Sequence, residues 1–162
     1  MSDVLKIAYN AALAIPDEVK RNVVIDSLAP DATCYQQVEA FHVLYDAPIE
    51  KTPVEGVPAM TTERIQMRLD LIEEELDELN EACLTRDIVE MADALGDILY
   101  VTVGFALEAG IDLQAVVREI QASNMTKLGA DGNVIRRDDG KILKGPAYAK
   151  PDIRSVLFPN PS

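Results

Sequence analysis

The stretch from Asp87 to Gly110, DIVEMADALGDILYVTVGFALEAG, restricts the fold more than any other. Between Ile88 and Leu107 it is almost wholly apolar, yet it carries Glu90, Asp93 and Asp97. At about 100° per residue these acids fall within roughly 60° of one another on a helix, and Gly104 continues their line. Every other side presents Ile, Leu, Val, Met, Ala or Phe, so the helix is expected to be buried. Carboxylates in such a place are costly unless paired, protonated or bound to a metal. The question is which cation faces them.

The preceding segment, Thr61 to Leu84, places Ile65, Leu69, Ile72, Leu76, Leu79 and Cys83 at alternating spacings of four and three, a bundle seam. Glu75 sits beside that seam, and Glu78 lies one turn on from Glu74 and Glu75. Glu73, Asp77 and Glu81 point away, toward solvent. Only Thr85 and Arg86 separate the two segments, so the helices should pack antiparallel. Glu74, Glu75 and Glu78 could then meet Asp93 and Asp97. An all-carboxylate cluster suits Mg2+, with Mn2+ as the other candidate.

The chain length of 162 residues fits one domain with a core of its own. No apolar run of some 18 residues is free enough of charge to span a membrane. MSDVLK lacks the basic-then-apolar pattern of a signal peptide, and Cys34 and Cys83 have no metal-type spacing. A cytoplasmic protein with reduced thiols is expected. The net charge of −13 argues against nucleic acid or an anionic membrane as partner. Residues 127–162 hold seven Lys/Arg against four Asp, a segment of +3 on a body of −16. Acids to hold a metal and bases to hold phosphates would divide the charge this way; so would a tail that merely neutralises its own body.

Residues 3–14 read as a short helix ended before Pro16, and Asp17 to Leu28 as a second. Asp31 could cap a third through Tyr45, with Val38, Phe41, Leu44 and Tyr45 inward. His42, the sole histidine, reads as a packed residue more readily than as a catalyst. Pro48, Pro53, Gly56 and Pro58 make residues 46–60 a loop. Thr61 or Thr62 opens the fourth helix, and Asp87 with Glu90 has capping-box spacing for the fifth. Asp93 and Asp97 lie mid-helix, where Asp has poor propensity and no capping role. Gly110 ends that helix. Asp112 caps another, Leu113 to Lys127, with Leu113, Val116, Val117 and Ile120 inward. Beyond Leu128 the chain is turns, with a small hairpin expected around Asp139–Gly140 and a last turn at PNP.

Two acidic helices in this order resemble the all-α nucleotide pyrophosphohydrolases, the MazG-like and phosphoribosyl-ATP pyrophosphohydrolase superfamily, with dimeric dUTPases as relatives. These carry E-E-x-x-E on one helix and E-x-x-D on the next. Glu74, Glu75 and Glu78 match the first element, and Asp97-Ile98-Leu99-Tyr100 matches the D-(L/I)-(L/I)-Y run that follows the second. VTVGFALEAGID, SNMTKL and GKILKGPAYAKPDI resemble a phage and bacterial branch, and the similarity covers roughly residues 36–154. One position departs: the Glu expected three residues before Asp97 is Ala94. Either Asp93 stands in for it, or the ligand set shifts a turn, to Glu90 and Asp93.

The resemblance implies an all-α antiparallel bundle of the MazG-like type with a turn-rich C-terminal tail. As one domain of residues 1–162, it would comprise an N-terminal extension (1–30), a core bundle (31–127) and a basic tail (128–162). It implies hydrolysis of a nucleoside triphosphate to a monophosphate and pyrophosphate. Glu74, Glu75, Glu78, Asp93 and Asp97 would hold Mg2+, and Glu75 would also orient or deprotonate water. Asn124 would read a base or sugar, and Lys127 a phosphate. Lys141, Lys144 and Tyr148 would close over the site from the tail, or belong to an ordinary surface tail. A homodimer or dimer of dimers is expected. Two alternatives stay open: a phosphoribosyl-ATP pyrophosphohydrolase, and a non-enzymatic acidic bundle that binds partner helices.

Overall fold

The computed structural model describes residues 2–53 and 60–159. Among these the chain is all-α, with seven helices and no strand. The middle of the expected loop at 46–60, with Gly56 and Pro58, lies outside the described residues, as does the end of the PNP turn.

Side-chain caps set where the helices begin. Ser2 accepts the Leu5 N–H to open α1 (Asp3–Leu13), and Asp17 accepts that of Lys20 to open α2 (Glu18–Ser27). Thr33, not Asp31, opens α3 (Cys34–Leu44). Its reciprocal box with Gln36 satisfies two end N–H groups, where a lone Asp would satisfy fewer. α4 (Thr62–Thr85) is capped by Thr61 and stops at Arg86, whose φ of 59° is left-handed. Asp87 then accepts the N–H groups of Val89 and Glu90 to open α5 (Ile88–Glu108). Its own N–H donates to Ala82 O at 3.0 Å, so the chain reverses at once and α4 and α5 run antiparallel.

The chain gathers into two compact units, Met1–Ile111 and Asp112–Ser162, dividing ahead of the sixth helix. In the first unit α5 packs along α4 and against α3; α2 packs on α3, and α1 on α2. Val38, Ala40, Ala94, Val103, Ala106 and Leu107 form its core. Gly110 closes it with φ of 70°, and a Cβ there would stand 2.6 Å from the Thr52 carbonyl.

Two expectations about burial fail here. α5 is not covered all round: Leu95 and Leu99 are 56% and 51% exposed, and Ile88 and Val89 are more so. The main neighbours of α5 in this unit are α4 and α3, and these exposed residues lie outside their cover. The α4 seam is also split. Ile65, Ile72 and Leu79 are half-buried, while Leu69, Leu76 and Cys83 face out. The face that α4 turns inward is the row Arg68, Glu75, Ala82, spaced by seven, with Arg68 and Ala82 buried.

In the second unit α6 (Leu113–Met125), capped by Asp112, packs with α7 (Ile153–Leu157), and the Asp152 N–H donates to Glu119 at 2.8 Å. Val117 and Ile120 are exposed rather than inward. Between the helices lie a turn closed by pairing of Leu128 with Val134 and the expected hairpin, where Arg136 pairs with Ile142 around Gly140. No single helix among the described residues is long and apolar enough to cross a membrane.

Candidate active site

The antiparallel pairing of α4 and α5 brings the five acids into one electrostatic neighbourhood. Glu75 is its centre. Its Oε2 is buried and has no hydrogen-bond partner. Loss of water pushes its carboxyl above the ordinary value, and the negative charges of Asp97, Glu78, Glu74 and Asp93 push in the same direction. Asp93 and Asp97, expected to be buried, are exposed, as are Glu74 and Glu78. They stand on the open side of the helix pair, where water carries most of the cost of their charge.

Ala94, where the resemblance expects a Glu, is 2% exposed and packs into the core. Asp93 next to it faces out and acts on Glu75. Glu90 lies further along, lining an acidic groove of about 480 Å³ with Glu78, Glu81, Ala82, Thr85 and Asp87. Among the described residues no group of three or more His, Cys, Asp or Glu side chains encloses a metal position. The acids form an open surface rather than a closed cage. Even so, a buried carboxylate oxygen with no donor, under the charge of four more acids, is the chemistry a hard divalent cation satisfies. The donor set therefore fits Mg2+.

The second unit groups three of the other candidates. Tyr148 shares a hydrogen bond with Ser123, which holds its phenol below the ordinary value, and the nearby charges of Lys144 and Lys127 lower it further. The Lys144 ammonium lies 4.3 Å from the centre of the Tyr148 ring. Asn124 gives its carbonyl to the Lys127 N–H as α6 ends. Lys141 is tied into the hairpin turn, its N–H donating to Asp139 at 3.1 Å.

The profile of the phosphoribosyl-ATP pyrophosphohydrolase family matches residues 38–124, more than half of the chain. The chain belongs to this family. Members are described as pyrophosphohydrolases, enzymes of phosphoanhydride bonds. The matched span contains all five acids and Asn124; Lys127, Lys141, Lys144 and Tyr148 fall beyond it, and α1 and α2 before it. The chain is also similar to an uncharacterised protein of Acanthamoeba polyphaga mimivirus, 37% identical over 82 residues. That stretch is 51% of this chain, and the chain spans about a third of the relative's length, 33%.

Sequence reasoning missed one polar group in the matched span altogether. Glu108, fully buried, receives Arg64 Nε at 2.6 Å and Arg68 Nε at 3.0 Å, and both guanidinium groups double the contact. Burial pushes its carboxyl up, but the hydrogen bonds and charges of the two arginines outweigh this and hold it below the ordinary value. His42 joins them. Its Nδ1 meets Pro48 O at 2.9 Å and its Nε2 meets Arg68 at 3.1 Å. A carbonyl only accepts, so Nδ1 carries the hydrogen and Nε2 accepts from Arg68. Burial first, then Arg68, favours this neutral ring, against the opposing hydrogen bond to Pro48. The available signal was Glu108 itself, an acid directly after the apolar run that ends at Leu107.

Proposed function

We propose that the chain hydrolyses the bond between the α and β phosphates of a nucleotide, releasing pyrophosphate and leaving a monophosphate, with Mg2+ as its metal. The observation that carries this is the buried, unpartnered Glu75 Oε2 amid four acids. Glu74, Glu75, Glu78, Asp93 and Asp97 would hold the ion. When bound, Mg2+ would neutralise phosphate oxygens and make a neighbouring water easier to deprotonate. Glu75, at the centre of the acids, is placed to accept the proton of the water that attacks phosphorus; the bridging P–O bond breaks and its electrons leave with pyrophosphate. In the second unit Lys127, Lys144 and Tyr148 form a group of two charges and a hydroxyl with the chemistry to bind an anion.

The first substrate class is free nucleoside or deoxynucleoside triphosphates. The family match favours a second, phosphoribosyl-ATP, which presents the same triphosphate to the same acids. The open apolar sides of α4 and α5 support an assembly of two or four copies. Pyrophosphate release from a panel of nucleoside triphosphates, deoxynucleoside triphosphates and phosphoribosyl-ATP, with Mg2+ and with EDTA, tests the reading. Release confined to phosphoribosyl-ATP selects the second substrate. No release from any substrate at millimolar Mg2+ favours the acidic bundle that only binds partners.

A further inference from the structure

Two side-chain rows face each other across α4 and α5. On α4 they are Arg68, Glu75 and Ala82; on α5, Gly104, Asp97 and Glu90, both spaced by seven. The rows are in step. Arg68 lies over Gly104, where a Cβ would stand 2.8 Å from its guanidinium nitrogen and 3.2 Å from His42 Nε2. Two turns along, Asp97 is the first of the acids acting on Glu75. Arg64 and Glu108, one turn beyond Arg68 and Gly104 respectively, keep the same step.

We infer that Arg68 is a positioning residue: clamped by Glu108 and His42 over Gly104, it sets the register of α4 on α5 that holds Glu75 level with Asp97. The hydrophobic seam cannot do this alone. Ile65, Ile72 and Leu79 repeat at seven residues, so sliding the helices by a turn or two still offers apolar surface to apolar surface. The charged clamp has no second place to go. Glu108 is buried with its side chain 0% exposed, and a slip would leave it without donors in a dry interior. Gly104 makes the position unique, because the missing Cβ leaves room for a guanidinium at that level. His42 adds α3 to the clamp and, through Pro48 O, the segment that follows it.

This inference rests on reading Glu75 and Asp97 as metal-binding partners, and its test separates the two. Spin labels on exposed Asp77 of α4 and exposed Val89 of α5, with Cys34 and Cys83 replaced by Ser and labelled protein diluted to suppress signals between copies, report register without metal or substrate. Two variants are compared with the unaltered clamp. Arg68→Met with Glu108→Leu removes the two most buried charges at once, and leaves Arg64, whose side chain is 36% exposed, to water. Gly104→Ala pushes the guanidinium aside while favouring helix. The expected result is a distance distribution that broadens or moves toward a one-turn slip of about 5.4 Å. Mg2+ affinity by calorimetry should fall about tenfold or more. If the double variant does not fold, Gly104→Ala decides. An unmoved label distance in a folded variant overturns the inference, whatever the activity. A moved distance in a protein that never bound Mg2+ leaves the register role standing and removes the metal reading.

Discussion

Asp97→Asn is the sharpest probe of the acid cluster, because it removes one charge and keeps the shape. Asp97 is exposed, and it is the first of the charges that raise the Glu75 carboxyl. Like charges one turn apart on an exposed helix cost roughly 0.2–0.5 kcal/mol. Asp97 has two such neighbours, Asp93 on its own helix and Glu75 across from it. Water screens both, so relief of about 0.5–1 kcal/mol is expected in the metal-free protein. For a chain of this size that is a rise of about 1–4 °C in melting temperature in EDTA. Mg2+ at a hundred times its dissociation constant should stabilise the unaltered protein by about 2.7 kcal/mol, or about 5–11 °C; the variant should lose most of this shift and nearly all turnover. The pH dependence has a definite sign. Glu75 is raised in the folded state, so the stability from its protonated form is complete below the ordinary carboxyl range and lost as pH rises through the raised value. Melting in EDTA should decline over that window, and less steeply in the variant. A drop in melting temperature with the Mg2+ shift intact would mean that Asp97 is a structural anion, and the reasoning would fail.

Glu108→Gln strands the buried charge of Arg68, and takes the anion from partly exposed Arg64; it should cost about 3–5 kcal/mol at neutral pH, read by urea denaturation. Because Glu108 is held below its ordinary value, its stabilisation is full above that value and lost as pH falls, so the variant should also have a flatter acid limb; an unchanged limb would refute the assignment. Lys127→Ala with Lys144→Ala should raise the Tyr148 phenol toward its ordinary value, read from its absorbance titration; an unmoved titration would refute the grouping. Light scattering at micromolar concentration should give a mass of two or four chains, and Leu95→Glu with Leu99→Glu should halve it; a monomeric mass for the unaltered protein ends the assembly proposal.

What the sequence made legible follows from what periodicity measures. Seven-residue spacing on α4, the two-residue link at Thr85–Arg86 and the caps at Asp17, Thr61, Asp87 and Asp112 are local signals, and the helices follow them. The grouping of Glu75 with Asp93 and Asp97 was legible because one short turn fixes which faces of α4 and α5 meet. Burial was not, since it depends on how many neighbours surround a helix. Composition made Asp97 look buried and Cys83 a core residue, although both are exposed where the flank of the bundle is open. The clamp was the least legible part. Its members, His42, Arg64, Arg68 and Glu108, lie on three helices, and each alone reads as a packed histidine or a solvated charge. A seam of Ile and Leu tells that two helices pack but leaves their offset nearly free, whereas charges buried at one level have a single satisfied arrangement. The offset that places Glu75 beside Asp97 is thus attributed to residues outside the acidic motif, and changes at Arg68 or Gly104 should reach the site with every motif acid still in place.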